Sequence, residues 1–143
     1  MIRQRLGKDL LFFDGGMGTL LQEKGLAPGE LPETWNLTHS EEIYKIHRQY
    51  IEAGSDIILT NTFGANALKF HDDSCSLEEI IKAAVSHVKK AEREALLQTG
   101  DERKIYTALD VGPTGKLLKP MGDLEFETAY RAFREVMEYG EAA

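Results

Sequence analysis

Three apolar runs in this chain each break off in small and polar residues, and that punctuation restricts the fold more than any other feature. Leu10-Leu11-Phe12-Phe13 runs into Asp14-Gly15-Gly16-Met17-Gly18-Thr19. Asp56-Ile57-Ile58-Leu59 runs into Thr60-Asn61-Thr62-Phe63-Gly64-Ala65-Asn66, and Ile105-Tyr106-Thr107-Ala108-Leu109 into Asp110-Val111-Gly112-Pro113-Thr114-Gly115. Strands buried on both faces read as unbroken apolar runs, and parallel α/β folds carry their chemistry just past the carboxyl ends of those strands. The three tips mark the expected rim of a site.

Helical patterns fill the intervals. Thr38-His39-Ser40-Glu41 reads as a capping box ahead of Ile43, Ile46, Tyr50 and Ile51, with Gly54 as the stop. Ser76-Leu77-Glu78-Glu79 is a second capping box, opening a helix striped by Leu77, Ile80, Ile81, Ala84, Val85, Val88, Ala91 and Ala95. Gly100 closes it, and Asp101-Glu102-Arg103 carries the expected turn into the third strand. Asp123 is the expected cap of a last helix with Phe126, Ala129, Tyr130, Phe133, Val136 and Met137 on one side. The residues from Gly25 to Asn36 read as a long polar connection. The order is β-α-β-α-β-α in one structural piece, and periodicity leaves two architectures open: a small doubly wound sheet or the opening part of a (β/α)8 barrel.

Composition excludes several partners. With 143 residues and a formal charge of -7, the chain lacks the basic face expected of a nucleic-acid binder. The apolar stretch Leu10–Phe13 is too short for a signal peptide core or a membrane span. One cysteine, Cys75, excludes an intrachain disulfide framework. These features together predict a cytoplasmic protein.

The strand-tip residues carry the candidate chemistry. Asp14-Gly15-Gly16-Met17-Gly18 lacks the third glycine of the dinucleotide fingerprint, and no phosphate-loop lysine follows. It reads either as a carboxylate beside bare backbone amides suited to an amino-acid ligand, or as a tight turn capped by Asp14. Thr60-Asn61-Thr62 either faces a ligand or satisfies loop backbone groups, and Asp110 with Gly112 repeats the situation at the third tip. Cys75, after His71-Asp72-Asp73-Ser74, falls short of a closed zinc ligand set. His39, His47 and His87 show no ligand spacing and read as helix surface or groove residues, and no nucleophilic triad is visible.

Taken together, DGGMGTLLQ (14–22), LPETWNLTHSEEI (31–43), IHRQYIEAGSDIILTNTFGAN (46–66) and DVGPTG (110–115) resemble the homocysteine S-methyltransferase family. The resemblance is nearest to the homocysteine-binding module of cobalamin-dependent methionine synthases. It implies a (β/α)8 barrel of which residues 1–143 would form the first three βα units, an incomplete homocysteine-binding domain stopping before strand four. It also implies methyl transfer to a zinc-bound homocysteine thiolate, zinc lowering the thiol pKa. Asp14 matches the family aspartate at the amino-acid portion of homocysteine, and Gly15 and Gly16 the adjoining turn. Thr60 and Asn61 match the strand-two tip, and Asp110 and Gly112 the strand-three tip.

Departures qualify that implication. The three cysteines that hold the family's zinc, and a glutamate after its fourth strand, have no counterpart here. Ser40 stands where the family commonly has proline, and Val136 where a polar residue is frequent. The expectation is therefore a methyltransferase by family that is inactive alone and has no metal site of its own. Cobalamin and methyl-folate would act through absent downstream modules. An uncovered sheet edge predicts self-association or a partner chain supplying the remaining strands. A non-catalytic amino-acid-binding module and an inactive gene remnant are the alternatives.

Overall fold

The alternation of apolar runs and striped helices produces an open α/β fold in which parallel strands lie under helices. The computed structural model describes residues 2–71, 74–100 and 103–143. The expected turn at Asp101-Glu102 and the Asp72-Asp73 part of the run before Cys75 lie outside them. Two strands, β1 (Ile57–Leu59) and β2 (Tyr106–Ala108), pair in parallel with Ile58 opposite Thr107. The first apolar run adds to the far side of β1 through a single parallel bridge, Phe13 to Ile57.

That first run is held by backbone and by one carboxylate. Asp56 N–H and Ile57 N–H both donate to Phe12 O, at 2.8 and 3.0 Å, and Asp14 N–H donates to Ile57 O at 3.0 Å. Buried Asp56 accepts from Phe12 N–H at 3.0 Å and faces Arg5 at 3.5 Å. The run stays short of a regular strand, and its apolar side chains are uncovered: Leu10 is 76% exposed, and Phe12 and Phe13 are each more than half exposed.

Among the described residues five α-helices accompany the strands: α1 (Met17–Glu23), α2 (Trp35–Thr38), α3 (Ser40–Glu52), α4 (Leu77–Thr99) and α5 (Phe126–Ala142). Ile58 packs under α3 and α4 with Tyr44, Ile51, Val88, Ala91 and Ala95. Leu21 of α1 joins Leu26, Trp35, Ile43 and Ile46 in a second cluster. Burying such side chains is the main favourable contribution to the fold.

Several local expectations are met. Ser76 and Glu79 form the reciprocal capping box at the start of α4, and Gly100 ends it in the left-handed conformation. Others need correction. Thr38 caps nothing: it is the last residue of α2, and its hydroxyl bonds back to Thr34 O at 3.1 Å. Asp123 does not cap α5, which begins at Phe126 after Glu125, because Leu124 is engaged in a bridge with Leu118. The Gly25–Asn36 connection is not purely polar coil, since a 3-10 turn at Pro32–Thr34 and the start of α2 lie in it.

Helix α5 carries two apolar stripes rather than one. Ala129, Ala132 and Val136 are buried, Val136 against Ala65, Phe70, Ile80 and Ile81. Phe126, Tyr130, Phe133 and Met137 lie about a quarter-turn away around the helix. They border an open groove with Leu118, and Phe126 is 72% exposed.

Candidate functional site

The strand tips and the segment from Gly29 to Glu33 enclose a cavity of about 490 Å³. That volume is within the roughly 300–1,000 Å³ typical of small-ligand sites. Asp14, Gly15, Gly16, Thr60, Asn61 and Asp110 all line it. The sequence tips thus converge. Gly112, by contrast, does not line the cavity; it is buried against the backbone of Phe63.

Asp14 sits where the first run meets β1. Its Oδ2 accepts from Leu59 N–H at 3.0 Å, while Oδ1 is buried without a partner among the described residues. Burial raises its pKa to about 6; hydrogen bonds from Leu59 and its own N–H oppose the rise, and the Asp110 charge adds to it. Burial also raises the pKa of Asp110. Two incompletely satisfied carboxylates therefore share one cavity, an arrangement that favours a cationic group or a proton.

Gly15 is needed for close approach. A Cβ on Gly15 would meet the Tyr50 ring, and Tyr50 Oη donates to Gly16 O at 3.3 Å. Burial, with the Asp14 charge second, raises the Tyr50 pKa.

Thr60 and Thr62 form a closed hydroxyl circuit with Asp110. Asp110 N–H donates to Thr60 Oγ1 at 3.1 Å, and Thr62 Oγ1 donates to Asp110 O at 2.7 Å. The two hydroxyls lie 2.6 Å apart, and Thr62 has spent its only proton, so Thr60 must donate to Thr62. Both threonines thus serve the loop backbone. Asn61 is clasped in turn: its Nδ2 donates to Pro32 O at 2.8 Å and Asn36 Oδ1 at 3.3 Å, while Asn36 Nδ2 donates to Asn61 O at 2.8 Å. His87 holds Asn36 O at 2.7 Å from α4.

Sequence reasoning missed several lining residues. Glu33 is buried and accepts from Gly64 N–H at 2.5 Å, while Glu30 accepts from Ala27 N–H and Trp35 Nε1. Lys69 lines the cavity too. An acid pair around Pro32 in a polar stretch was the only available signal, and it is weak. His47 also needs correction: it is fully buried in α3, with both ring nitrogens unpartnered among the described residues. Desolvation, with His87 second, lowers its pKa to about 3.

The described residues do not fit a zinc ion. Cys75, the only cysteine, borders a separate groove with Thr38 and His39. Among the described residues no group of three His, Cys, Asp or Glu side chains is placed to hold a metal. No helix among them is long and apolar enough to cross a membrane.

A family model described as homocysteine S-methyltransferase matches residues 11–143. The methionine synthase of Mycobacterium leprae (strain TN) is 30% identical over 138 residues, covering 92% of this chain and 11% of that protein. The homocysteine methyltransferase MmuM from Escherichia coli, in its oxidized form, superposes with a TM-score of 0.81 at 21% identity. That match covers 99% of this chain and 52% of the other. Its metallated form gives 0.80 at 21% identity, covering 96% and 52%. The chain thus spans about half the length of these solved structures, which share its fold.

Proposed function

The chain belongs to the homocysteine S-methyltransferase family, and from that premise we propose that its strand-tip cavity is the amino-acid end of a homocysteine site. The observation that carries this reading is Asp14 Oδ1, buried at the cavity with no donor among the described residues. A buried acceptor without a partner is costly, and the α-ammonium of an amino acid supplies both donor and opposite charge. Gly15 and Gly16 keep the adjoining wall free of side chains, and Asp110 adds a second carboxylate. Thr60 and Asn61 shape the wall through the loop bonds they make.

In the whole-enzyme reaction the methyl group passes to the homocysteine sulfur, which must be a thiolate to act as nucleophile. Zinc serves that purpose in the family, but the side chains of this chain do not fit it. The zinc thiols and the remaining barrel strands are therefore assigned to a polypeptide segment beyond residues 1–143, and these residues alone are assigned no turnover. The open sheet supports reading them as the first three βα units of a (β/α)8 barrel. The Leu10–Phe13 edge and the outer stripe of α5 are the two seams at which that barrel continues, and without a neighbour they favour self-association. The likeness to a methionine synthase favours methionine formation, and the cobalamin-dependent, methyl-folate-fed version in a cytoplasmic setting is proposed on the sequence resemblance alone.

Isothermal titration of the chain with L-homocysteine tests the reading. Binding is expected without added zinc, and Asp14→Asn is expected to weaken it about tenfold or more. Equal heats for wild type and variant would remove Asp14 from the site.

A further inference from the structure

The open sheet ends in two edges whose backbone groups are complementary. At one, the first apolar run turns Phe12 C=O and Asp14 N–H toward β1. Alternate residues of a paired strand point their backbone groups to opposite sides, so Leu11 C=O and Phe13 N–H face outward. At the other edge, Tyr106 N–H donates to Asp56 O and Ala108 O accepts from Thr60 N–H. The N–H and C=O of Thr107, an exposed residue between them, therefore face away from β1. Within the sheet, Ile57 shows what such a residue does: its N–H donates to Phe12 O, and its C=O accepts from Asp14 N–H. Thr107 can engage the Leu11 C=O and Phe13 N–H of another first run in the same parallel pattern.

Side chains and charge agree with that match. Leu10, Phe12 and Phe13 are exposed along the first run. Helix α5 flanks the β2 edge, since Leu109, next after β2, packs in the cluster that holds Val136 and Tyr139. Its exposed Phe126, Tyr130 and Met137 border an empty groove of about 440 Å³. Residues 1–13 carry three basic side chains against one acidic, whereas α5 carries four acidic against two basic. Glu141 borders the groove and makes no ion pair among the described residues. Two α5 stripes would repel each other, and so would two first runs; one of each attracts.

We infer that the occupant of each edge is the opposite edge of a second copy of this chain, in a heterologous head-to-tail contact. The inference rests on the open-sheet reading proposed above and adds what covers its seams when no further strands are supplied. The first run of one copy pairs in parallel with β2 of the next, and its Leu10–Phe13 side chains meet the outer stripe of α5. Because the two patches differ, each copy keeps one free edge after pairing, and association proceeds to rings or open chains rather than stopping at a symmetric dimer.

Mixing variants of the full chain tests this by sedimentation velocity. Leu10→Glu with Phe12→Glu blunts the first-run edge, and Phe126→Glu with Met137→Glu blunts the α5 edge. Phe13→Pro and Thr107→Pro form a second pair, each removing one outward N–H at a sheet edge, where proline is tolerated. A cooperative thermal melt selects the variants that fold, and either pair suffices. Wild type is expected as a series of species above 16.0 kDa, and each variant alone at 16.0 kDa. An equimolar mixture of one variant from each edge is expected at twice that mass, because each supplies the edge the other has lost. A mixture that stays monomeric overturns the head-to-tail contact. So does a first-run variant that still associates while the α5 variant does not, which marks a symmetric contact through α5. Monomeric wild type overturns self-association altogether and leaves the homocysteine titration standing as a separate question.

Discussion

Tyr50 closes over Gly15: a Cβ placed on that glycine would lie 2.8 Å from Tyr50 Oη, which itself donates to the next carbonyl, Gly16 O. Gly15→Ala therefore has to displace the ring and lose the bond. The expected cost is about 1 kcal/mol, since the obstacle is the free end of a side chain rather than backbone. Urea unfolding would register it, and the penalty should vanish in a Tyr50→Ala background. A penalty of equal size in both backgrounds would place the strain elsewhere.

Asp14 trades stability for charge. Its folded pKa of about 6 stands above the ordinary value of 3.8. Between these values the folded chain binds more protons than the unfolded one, so this contribution to stability falls as pH rises through that window. Asp14→Asn is expected to stabilise the fold at pH 7.5 by about 1 kcal/mol, after allowance for solvent screening, and to converge on wild type near pH 4. Thermal melts across that range decide it; a variant less stable than wild type at pH 7.5 contradicts the assignment. Homocysteine affinity should drop in wild type as pH falls through about 6, because the neutral acid no longer attracts an ammonium.

His47 acts in the opposite sense. Its folded pKa of about 3 lies below the ordinary 6.5, so the unfolded chain binds the extra proton. Stability is then fully present above pH 6.5 and is lost progressively as pH falls toward 3. His47→Leu removes two unpartnered nitrogens and should gain about 1–3 kcal/mol at pH 5. The comparison is the melting-temperature drop from pH 7.5 to pH 5, which should be smaller in the variant.

The hydroxyl circuit makes Thr62 structural. Thr62→Val keeps the shape but leaves Asp110 O without its donor and Thr60 without its acceptor, at an expected cost of about 1–3 kcal/mol. Thr62→Ser should recover most of that loss. Denaturant midpoints for the two variants provide the check.

Exposure of the outer stripe of α5 leads to an expectation of self-association in the isolated chain. Sedimentation velocity is expected to show species larger than the 16.0 kDa chain. Phe126→Glu with Met137→Glu should shift the distribution toward monomer. A compact wild-type monomer at tens of micromolar would remove this surface from consideration.

Much of the architecture could be read in the sequence because its signals are local. The Ser76 capping box and Gly100 bracket α4 as read, and the three apolar runs lie side by side in order. Tertiary context overrode the weaker signals. Thr38 carries a capping residue type, yet it ends the helix Trp35–Thr38 and its hydroxyl bonds back to Thr34 O. Periodicity placed Phe126 and Val136 on one side of α5, because a broad apolar arc does not reveal that only part of it meets α4. The site divides similarly. Residues at strand tips were found by position, while Lys69 and Glu33 reach the cavity from loops, where no period marks direction. His47 gave no hint of its depth, since nothing in the spacing of one histidine reports which helix covers it.

The three-bond loop through Thr60, Thr62 and Asp110 has a mechanical consequence. It rivets the ends of β1 and β2 together across adjacent strands, so the floor of the cavity cannot hinge. The Gly29–Glu33 wall is tied to the same floor, through Asn61 to Pro32 O and through Gly64 N–H to Glu33. Fitting a guest is then left to the rotation of individual side chains, while the strand ends keep their spacing.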